Sequence, residues 1–183
     1  MGFDMNAFSL AGKKAIVTGG AKKTGLCYGM AVALHDAGAE IVILDANSQV
    51  ENTVAELGGA KSGYHAVVAN LLDLNDLSNG FQQAISALGG RLDILVNGAG
   101  LQYRCPSEEF PEDAWDRIMG VNIKGVFFMS QLAGKVMLKQ GKGKIINIAS
   151  TNSFIGLRNM PAYVSSKGGV KQLTMALSSE WSG

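Results

Sequence analysis

The sequence predicts a doubly wound parallel α/β sheet, and two features of the chain carry this prediction. Short apolar runs alternate with longer segments of helical spacing. Each apolar run is nearly continuous, which is typical of strands buried on both faces of a parallel sheet. Right-handed crossovers through the intervening helices then wind the sheet in both directions. In such sheets ligands bind beyond the carboxyl ends of the strands.

The boundaries of the predicted elements follow from glycine, proline and polar residues between the runs. We predict strands at residues 15–18, 41–44, 64–69, 94–97 and 144–149. We predict helices at residues 25–37, 50–57, 74–88, 115–138 and from 161 towards 181. Gly38, Gly58 and Gly89 end three of these helices, and Pro161 suits the first turn of the last one. No linker divides the chain, so residues 1–183 are interpreted as one domain.

Composition and charge exclude several classes of protein. Of the 183 residues, 47% are hydrophobic and 17% are charged, as in an ordinary globular domain. The 16 basic and 15 acidic side chains leave a net charge of +1, which argues against a nucleic-acid partner. Cys27 and Cys105 lack metal-site spacing and suggest no disulfide framework, so we expect reduced thiols, no metal and a cytoplasmic location. Residues 1–10 do not resemble a signal peptide, and no apolar segment is long enough for a membrane span.

A glycine-rich turn joins the first predicted strand to the first predicted helix. It reads Thr18-Gly19-Gly20-Ala21-Lys22-Lys23-Thr24-Gly25-Leu26-Cys27. Glycines in such a turn let backbone N–H groups approach a pyrophosphate, and the helix N-terminus adds partial positive charge. A tight turn without a ligand is the simpler interpretation of the pattern taken alone. The strand before it and the helix after it favour dinucleotide binding through Thr18, Gly19, Gly25 and Leu26.

Asp45 ends the second predicted strand and favours NAD as the dinucleotide. A carboxylate at this point can accept both hydroxyls of the adenosine ribose and repels a 2′-phosphate. Lys22 and Lys23 argue the other way, because their ammonium groups could meet that phosphate. They could equally be solvated loop charges, and Asp45 could be a polar strand end or a helix cap.

A serine, a tyrosine and a lysine form a candidate acid–base set. Ser150 follows the fifth predicted strand, and Tyr163 and Lys167 share one face of the last predicted helix. A phenol titrates near ~10, too high for a good base at neutral pH, but a lysine cation one turn away stabilises the phenolate. Ser150 could donate a hydrogen bond to a substrate oxygen. Taken singly, the three residues also have structural interpretations as a packed aromatic, a surface charge and a cap.

These motifs together resemble the short-chain dehydrogenase/reductase family, whose sheet is of the Rossmann type, along nearly the whole chain. The resemblance rests on their order and spacing: Thr18-Gly19, Asn97-Gly98-Ala99-Gly100, Asn122, Ser150 and Tyr163-x-x-x-Lys167. It implies an oxidoreductase that moves a hydride between NAD(H) and a secondary alcohol or its ketone. Tyr163 would be the acid or base. Lys167 would lower its pKa and bind the nicotinamide ribose, and Ser150 would hold the substrate oxygen.

Further positions take roles from the same resemblance. Asn122 would hold a water in a proton relay, although a helix kink between two glycines is its simpler interpretation. Asn97, Gly98 and Ala99 would lie beside the cofactor where the family has Asn-Asn-Ala, so one polar support is lost at Gly98. Asn70 and Leu71 would lie near the adenine, with Asn70 in place of a common aspartate.

The glycine turn departs most from the family pattern, since it is about two residues longer, and loops absorb such additions more readily than helices. We therefore prefer an insertion among residues 21–24, which makes Gly19 and Gly25 the first two family glycines and puts Cys27 in place of the third. A gapless alternative places Lys23 on the second glycine and Gly25 on the third. Either alignment alters the pyrophosphate contacts.

Within the family the chain resembles sugar-acid dehydrogenases, which act on gluconate and its dehydro-deoxy relatives. Residues 89–97, 126–131 and 143–150 carry this resemblance, and it implies a sugar acid or polyol as the small-molecule substrate. Arg104 could hold a carboxylate in bidentate fashion, and Asn152 and Ser153 could bond sugar hydroxyls. A solvated arginine and ordinary turn residues are the alternatives.

Two other functions stay open: a reductase of another ketone class that uses NADP(H), and a dinucleotide-binding protein without turnover. The resemblance also implies a homo-oligomer, either a dimer or a tetramer. Members of the family continue past the helix that carries Tyr163 through another strand, a substrate-covering segment and a final strand. We therefore expect that residues 1–183 lack part of the enzyme at the C-terminal side, and that this polypeptide alone is poorly soluble and inactive.

Overall fold

Five parallel strands form one sheet. The computed structural model describes residues 5–182, with side chains from residue 7 onward, so residues 1–4 of the segment tested for a signal peptide, and Gly183, lie outside it. The strands are β1 (Lys14–Thr18), β2 (Glu40–Asp45), β3 (Tyr64–Val68), β4 (Ile94–Asn97) and β5 (Lys144–Asn147). Their order is β3-β2-β1-β4-β5, and all neighbours pair in parallel. The predicted doubly wound parallel α/β sheet is confirmed.

Helices connect the strands at nearly the predicted positions. They are α1 (Leu26–Asp36), α2 (Gln49–Glu56), α3 (Leu74–Ala87), α4 (Glu112–Met119), α5 (Val126–Gln140) and α6 (Pro161–Trp181). Four short 3-10 turns that we did not predict lie at Met5–Phe8, Gly59–Ser62, Ser107–Glu109 and Thr151–Ser153. Their single turns carry no apolar periodicity of their own, so a pattern search overlooks them.

The long helix predicted at residues 115–138 is interrupted. A π-helical segment, Gly120–Gly125, separates α4 from α5. A Cβ built on Gly120 would lie 2.6 Å from the Leu72 side chain, and one on Gly125 would lie 3.1 Å from Cβ of Leu71. The two glycines therefore let the π-helical turn pack closely against the loop that follows β3.

Two strands end earlier than predicted. The prediction extended the third strand to Ala69 and the fifth to Ala149, whereas β3 ends at Val68 and β5 at Asn147. One further hydrogen bond follows each strand, from Ala69 N to Asp45 O and from Ile148 N to Asn97 O, both 3.0 Å long. After β3, residues 69–72 line a cleft at the edge of the sheet. In both cases the apolar run of the sequence is longer than the hydrogen-bonded strand.

The sheet is covered on both faces. In β1, Ala15 and Val17 face the core that α1 and α2 cover, whereas Ile16 faces the core formed with α3 and α5. Successive side chains of a strand point to opposite faces of the sheet, and here all three are fully buried. Such packing on both sides explains why the strand sequences are nearly continuous apolar runs.

The two sheet edges are β3 and β5. Ile146 in β5 is 46% exposed, and a groove of about 810 Å³ runs between this strand and the C-terminal turns of α5 and α6. No helix among residues 5–182 is long and apolar enough to cross a membrane. Within the same range, no three His, Cys, Asp or Glu side chains come together in a way that could hold a metal ion.

Candidate active site

A cleft of about 520 Å³ opens at the carboxyl ends of β1, β2 and β4. It lies where the strand order reverses between β1 and β4, which is the usual ligand site of a doubly wound sheet. Most of the predicted cofactor-binding residues line it, namely Gly19, Gly25, Asp45, Asn70, Leu71, Gly98 and Ala99. The other predicted cofactor-binding residues lie outside this lining, namely Thr18, Leu26, Asn97, Tyr163 and Lys167.

Two turns meet at the floor of the cleft, one after β1 and one after β4. Gly19 has a φ of +88°, and a Cβ built on it would lie 2.7 Å from Cα of Ala99. Only glycine fits this backbone and this close approach. The hydroxyl of Thr18 accepts hydrogen bonds of 3.1 Å from the N–H groups of Gly98 and Ala99. Thr18 therefore joins the two turns.

Residues 21–24, where the preferred alignment puts the insertion, lie in the loop before α1. Gly25 is the N-cap of this helix, and Leu26 is its first residue, with a side chain 69% exposed. The Thr53 hydroxyl donates a 2.7 Å hydrogen bond to the carbonyl of Ala21, and Lys23 forms an ion pair with Glu56. The longer loop is thus attached to α2.

Asp45 faces the cleft from the end of β2. Its two carboxylate oxygens accept 2.9 Å hydrogen bonds from the backbone N–H groups of Ala21 and Asn47. The glycine turn and this carboxylate are therefore directly bonded to each other. Of the two lysines considered for phosphate binding, Lys22 lines the cleft with Asp45, whereas Lys23 is directed to α2.

Tyr163 and Lys167 lie one turn apart near the start of α6. The Lys167 Nζ atom is 5.8 Å from the centroid of the Tyr163 ring and donates a 2.6 Å hydrogen bond to the carbonyl of Ile148. Lys167 is only 4% exposed, and this burial lowers the pKa of its ammonium group. A Cβ on Gly100, in the cleft lining, would lie 3.9 Å from Nζ. Lys167 therefore adjoins one end of the cleft.

Asn122 connects the turn after β4 to the helix that carries Tyr163. It is fully buried in the π-helical segment. Its Oδ1 accepts a 2.7 Å hydrogen bond from Leu101 N, and its Nδ2 donates to Leu101 O at 2.9 Å and to the Ser166 hydroxyl at 3.1 Å. Ser166 in turn donates a 2.7 Å hydrogen bond to the carbonyl of Tyr163. The sequence reasoning overlooked Ser166, although its spacing from Tyr163 puts both near one helix face.

Ser150 begins the 3-10 turn that precedes α6. Its hydroxyl accepts a 3.1 Å hydrogen bond from Asn152 N and donates to Asn152 Oδ1 at 3.2 Å. The Ser153 hydroxyl accepts from Ser150 N at 3.3 Å and donates to the carbonyl of Lys167 at 2.7 Å. Ser153 therefore fastens the Ser150 turn to α6. Ser150 is the N-cap of the 3-10 turn, as expected from its structural interpretation as a capping residue.

Two asparagines assigned near the cofactor have structural partners. Asn97 is buried, and its Nδ2 donates to the Ser130 hydroxyl at 3.0 Å and to Asn147 Oδ1 at 2.8 Å. Its Oδ1 has no hydrogen-bond partner among residues 5–182. Asn70 Oδ1 accepts a 3.0 Å hydrogen bond from Leu72 N and shapes the turn after β3. Asn97 therefore ties β4 to its neighbours, whereas Asn70 stays in the cleft wall.

Arg104 lies in the loop after β4. Its side chain is exposed and forms no ion pair with any residue between 5 and 182. A 3.0 Å hydrogen bond from Cys105 N to the carbonyl of Asn159 joins this loop to the one before α6. Arg104 thus belongs to a loop that is attached to the segment between Ser150 and Tyr163.

The sequence matches the short chain dehydrogenase family over residues 13–183, and the chain belongs to this oxidoreductase family. It is 42% identical over 178 residues to a 2-dehydro-3-deoxy-D-gluconate 5-dehydrogenase of Escherichia coli (strain K12), a match that covers 97% of the chain and 69% of the relative. It is 35% identical to a gluconate 5-dehydrogenase of Gluconobacter oxydans (strain 621H), covering 95% and 67% of the two chains. The predicted resemblance to sugar-acid dehydrogenases is confirmed.

A solved structure shares the fold. The gluconate 5-dehydrogenase of Burkholderia cenocepacia J2315, in complex with NADP and tartrate, superimposes with a TM-score of 0.89 at 32% identity. The match covers 97% of this chain and 69% of that one. That complex contains NADP, whereas the sequence argument from Asp45 favours NAD for this chain.

Proposed function

We propose that this chain carries the dinucleotide site and the acid–base residues of an enzyme that transfers hydride between NAD(H) and a carbinol or carbonyl carbon of a sugar acid or polyol. The observation that carries the proposal is the placement of Tyr163 and Lys167 on one turn of α6, beside a cleft floored by the Gly19 turn. The residues present fit a dinucleotide, because Gly19 leaves space at the floor, the Asp45 carboxylate lines the cleft, and the Lys167 ammonium group lies beside Gly100 of the lining. When bound, the nicotinamide accepts or supplies the hydride.

Tyr163 is proposed to move the proton that accompanies the hydride. Its phenolate takes the hydroxyl proton of an alcohol in oxidation, and its phenol donates a proton to the carbonyl oxygen in reduction. Lys167 supports the phenolate electrostatically from one turn away. Ser150 donates its hydroxyl hydrogen to the substrate oxygen, which requires the 3.2 Å bond to Asn152 Oδ1 to give way.

Asn122 is proposed to support this proton transfer through its position. Its side-chain hydrogen bonds fix the π-helical segment against Leu101 and Ser166. A π-helical turn changes the partners of the backbone carbonyls, and such segments occur frequently at functional sites. A carbonyl freed in this way could hold the water of a proton relay.

NAD is the proposed dinucleotide because Asp45 lies in the cleft wall at the end of β2. Its negative charge repels a 2′-phosphate. The alternative, NADP(H), is favoured by a different observation, since Lys22 lines the same cleft. The bonds from Ala21 and Asn47 to Asp45 hold the carboxylate in place, which supports the first choice.

Arg104 and the turn at Ser150 are proposed to select the substrate. Arg104 is exposed and lacks an internal carboxylate partner among the described residues, so its guanidinium is available to a sugar acid. Asn152 and Ser153 would add hydrogen bonds to sugar hydroxyls, although both already bond within the protein.

The chain is proposed to act as one dinucleotide-binding and catalytic domain within a homo-oligomer. Apolar side chains on the outer surfaces of α5 and α6 support this proposal, because Leu138 is 55% exposed and Met175 is 60% exposed. Light scattering after size-exclusion chromatography tests it, and a monomer at micromolar concentration would contradict it.

A substrate panel tests the proposed function. Hexonates, deoxyketohexonates, neutral polyols and simple ketones are each assayed with NAD(H) and with NADP(H), following the absorbance of the reduced nicotinamide. We expect the fastest turnover with a sugar acid and NAD(H). Turnover restricted to simple ketones with NADPH would favour the alternative reductase, and dinucleotide binding without any turnover would leave only a binding protein.

A further inference from the structure

The structure brings the two main departures of the cofactor turns into contact. Cys27 stands where the preferred alignment has a family glycine, and Gly98 stands where the family has an asparagine. Cys27 lies in the first turn of α1, and its side chain is buried. A Cβ built on Gly98 would lie 2.4 Å from the Cys27 Sγ atom. The Cys27 side chain therefore occupies the space beside position 98 that the asparagine side chain of the family would need.

The backbone of Gly98 does not itself require glycine. Its φ is not in the left-handed region, unlike that of Gly19. The next atoms that a Cβ would meet are the carbonyl oxygen of Thr18 at 3.1 Å and Cβ of Cys27 at 3.6 Å. The sulfur of Cys27 is thus the main obstacle to a side chain at position 98.

We propose that Cys27 and Gly98 form one complementary pair, in which the Cys27 thiol sets the distance between α1 and the turn after β4. The pair lies next to the contact between the two cofactor turns, where Thr18 bonds Gly98 and Ala99. A change in this spacing moves the backbone N–H groups that approach the dinucleotide. Cys27 is therefore a positioning residue for dinucleotide binding, and this role rests on the proposed function.

The charge state of Cys27 fits this role. Burial is the main cause that raises the pKa of its thiol, and the Asp45 carboxylate raises it further, while Lys167 opposes both. The thiol is therefore neutral at neutral pH. It fills the space beside Gly98 without a negative charge that would repel the phosphates of a dinucleotide.

A double-mutant cycle on the full chain tests the pair. The variants are Gly98→Asn, Cys27→Gly and the combination, with Gly98→Ala as a smaller substitute in case the asparagine prevents folding. For each, the melting temperature and the dissociation constants of NADH and NADPH are measured. We expect Gly98→Asn alone to weaken dinucleotide binding about tenfold or more and to lower the melting temperature, because overpacking is costly. In the Cys27→Gly background the same change should have a much smaller effect on both quantities.

Gly29→Ala provides the matched control, because Gly29 lies on the same helix as Cys27 and a Cβ there meets no atom within 4 Å. Its effects should add to those of Cys27→Gly.

Equal effects of Gly98→Asn in both backgrounds would overturn the proposal. Coupling in melting temperature without coupling in the dissociation constants would overturn the positioning role and leave a packing contact. If the unchanged chain binds neither dinucleotide, the proposed function and the positioning role both fail, and the melting data still decide whether the two residues pack as a pair.

Discussion

The two ends of the cleft are built in different ways. At the end formed by α6 and the turn before it, which we call the helix end, the arrangement depends on particular side chains: Tyr163, Lys167, Ser150 and Asn122. At the end formed by the turns after β1 and β4, which we call the turn end, it depends on backbone geometry and space. Gly19 touches Ala99 there, and Gly98 leaves room for Cys27. Proton transfer requires given functional groups, whereas backbone N–H groups can be supplied by many sequences.

This difference explains where the chain departs from its family. The tyrosine, lysine, serine and asparagine of the helix end match the family pattern, whereas the turn end contains the longer loop, Cys27 and Gly98. Changes at the turn end are compensated locally, by the bond from Thr53 to Ala21 and by the fit of Cys27 to Gly98. We therefore expect substitutions at the helix end to reduce turnover and substitutions at the turn end to alter dinucleotide binding.

The largest effect is expected for Tyr163→Phe. The substitution removes the hydroxyl that we propose transfers the proton and keeps the ring, so turnover should fall by about a thousandfold, within the range of general acid–base catalysis. The dissociation constant of NADH should change little. Steady-state assays and fluorescence titration measure the two quantities.

Tyr64→Phe is the matched control for this change. Tyr64 begins β3 and stacks on His35 with ring centroids 4.0 Å apart, away from the cleft lining. Turnover should persist in this variant. If Tyr163→Phe weakens NADH binding as much as it reduces turnover, the helix end is a binding element and our comparison of the two ends is wrong.

Lys167→Met should have the next largest effect, a loss of turnover of about a hundredfold, because the phenolate of Tyr163 loses its neighbouring cation. The remaining activity should need a higher pH. Lys171→Met, one turn further along α6, is the control, since Lys171 lies over the exposed ring of Phe154. An unchanged pH–rate profile in Lys167→Met would contradict the assigned role.

The same variant has a predicted effect on stability. Burial lowers the pKa of Lys167 in the folded chain below its ordinary value of 10.5, so the unfolded state binds more protons between the two values. The unchanged protein therefore gains stability as pH rises through this window, and Lys167→Met lacks this gain. As the pH is raised from neutral to about 10.5, the melting temperature of the variant should decrease relative to that of the unchanged protein. A difference independent of pH would show that burial does not lower the pKa of Lys167 in the folded chain.

The sequence was a better guide to the sheet and the helix end than to the turn end. Continuous apolar runs predicted every strand of the sheet, and the spacing of Tyr163 and Lys167 predicted their shared helix face. At the helix end, the sequence suggested only a kink between Gly120 and Gly125, and the π-helical form of this segment and its close contact with the loop after β3 did not follow from the local pattern. Pairing of Cys27 with Gly98 was equally hidden, since contacts between distant segments leave no local periodicity.

Arg104→Ala tests the substrate loop, which belongs to neither end of the comparison. Loss of a hydrogen-bonded carboxylate partner costs about 1.5–3 kcal/mol, so kcat/KM for a sugar acid should fall at least about tenfold, with a smaller fall for the matching neutral polyol. Arg158→Ala is the parallel variant, because the bond from Cys105 to Asn159 brings its loop to that of Arg104. Equal losses for the acid and the polyol would show that Arg104 does not bind the carboxylate.

The smallest expected effect concerns the choice of dinucleotide at the turn end. Asp45→Asn removes the charge that we propose repels a 2′-phosphate and keeps a side chain that can bond the Ala21 loop. NADPH binding should therefore improve severalfold relative to NADH. Lys22→Ala should weaken NADPH binding relative to NADH by a similar factor, because Lys22 lines the cleft. Lys23→Ala is its control, since Lys23 pairs with Glu56 instead. Fluorescence titration with both dinucleotides measures the ratio of their dissociation constants.

If the unchanged chain already prefers NADPH and Lys22→Ala abolishes that preference, Lys22 has a larger effect on the choice of dinucleotide than Asp45. In that case the hydrogen bonds from Ala21 and Asn47 show that Asp45 stabilises the loop rather than binding the ribose.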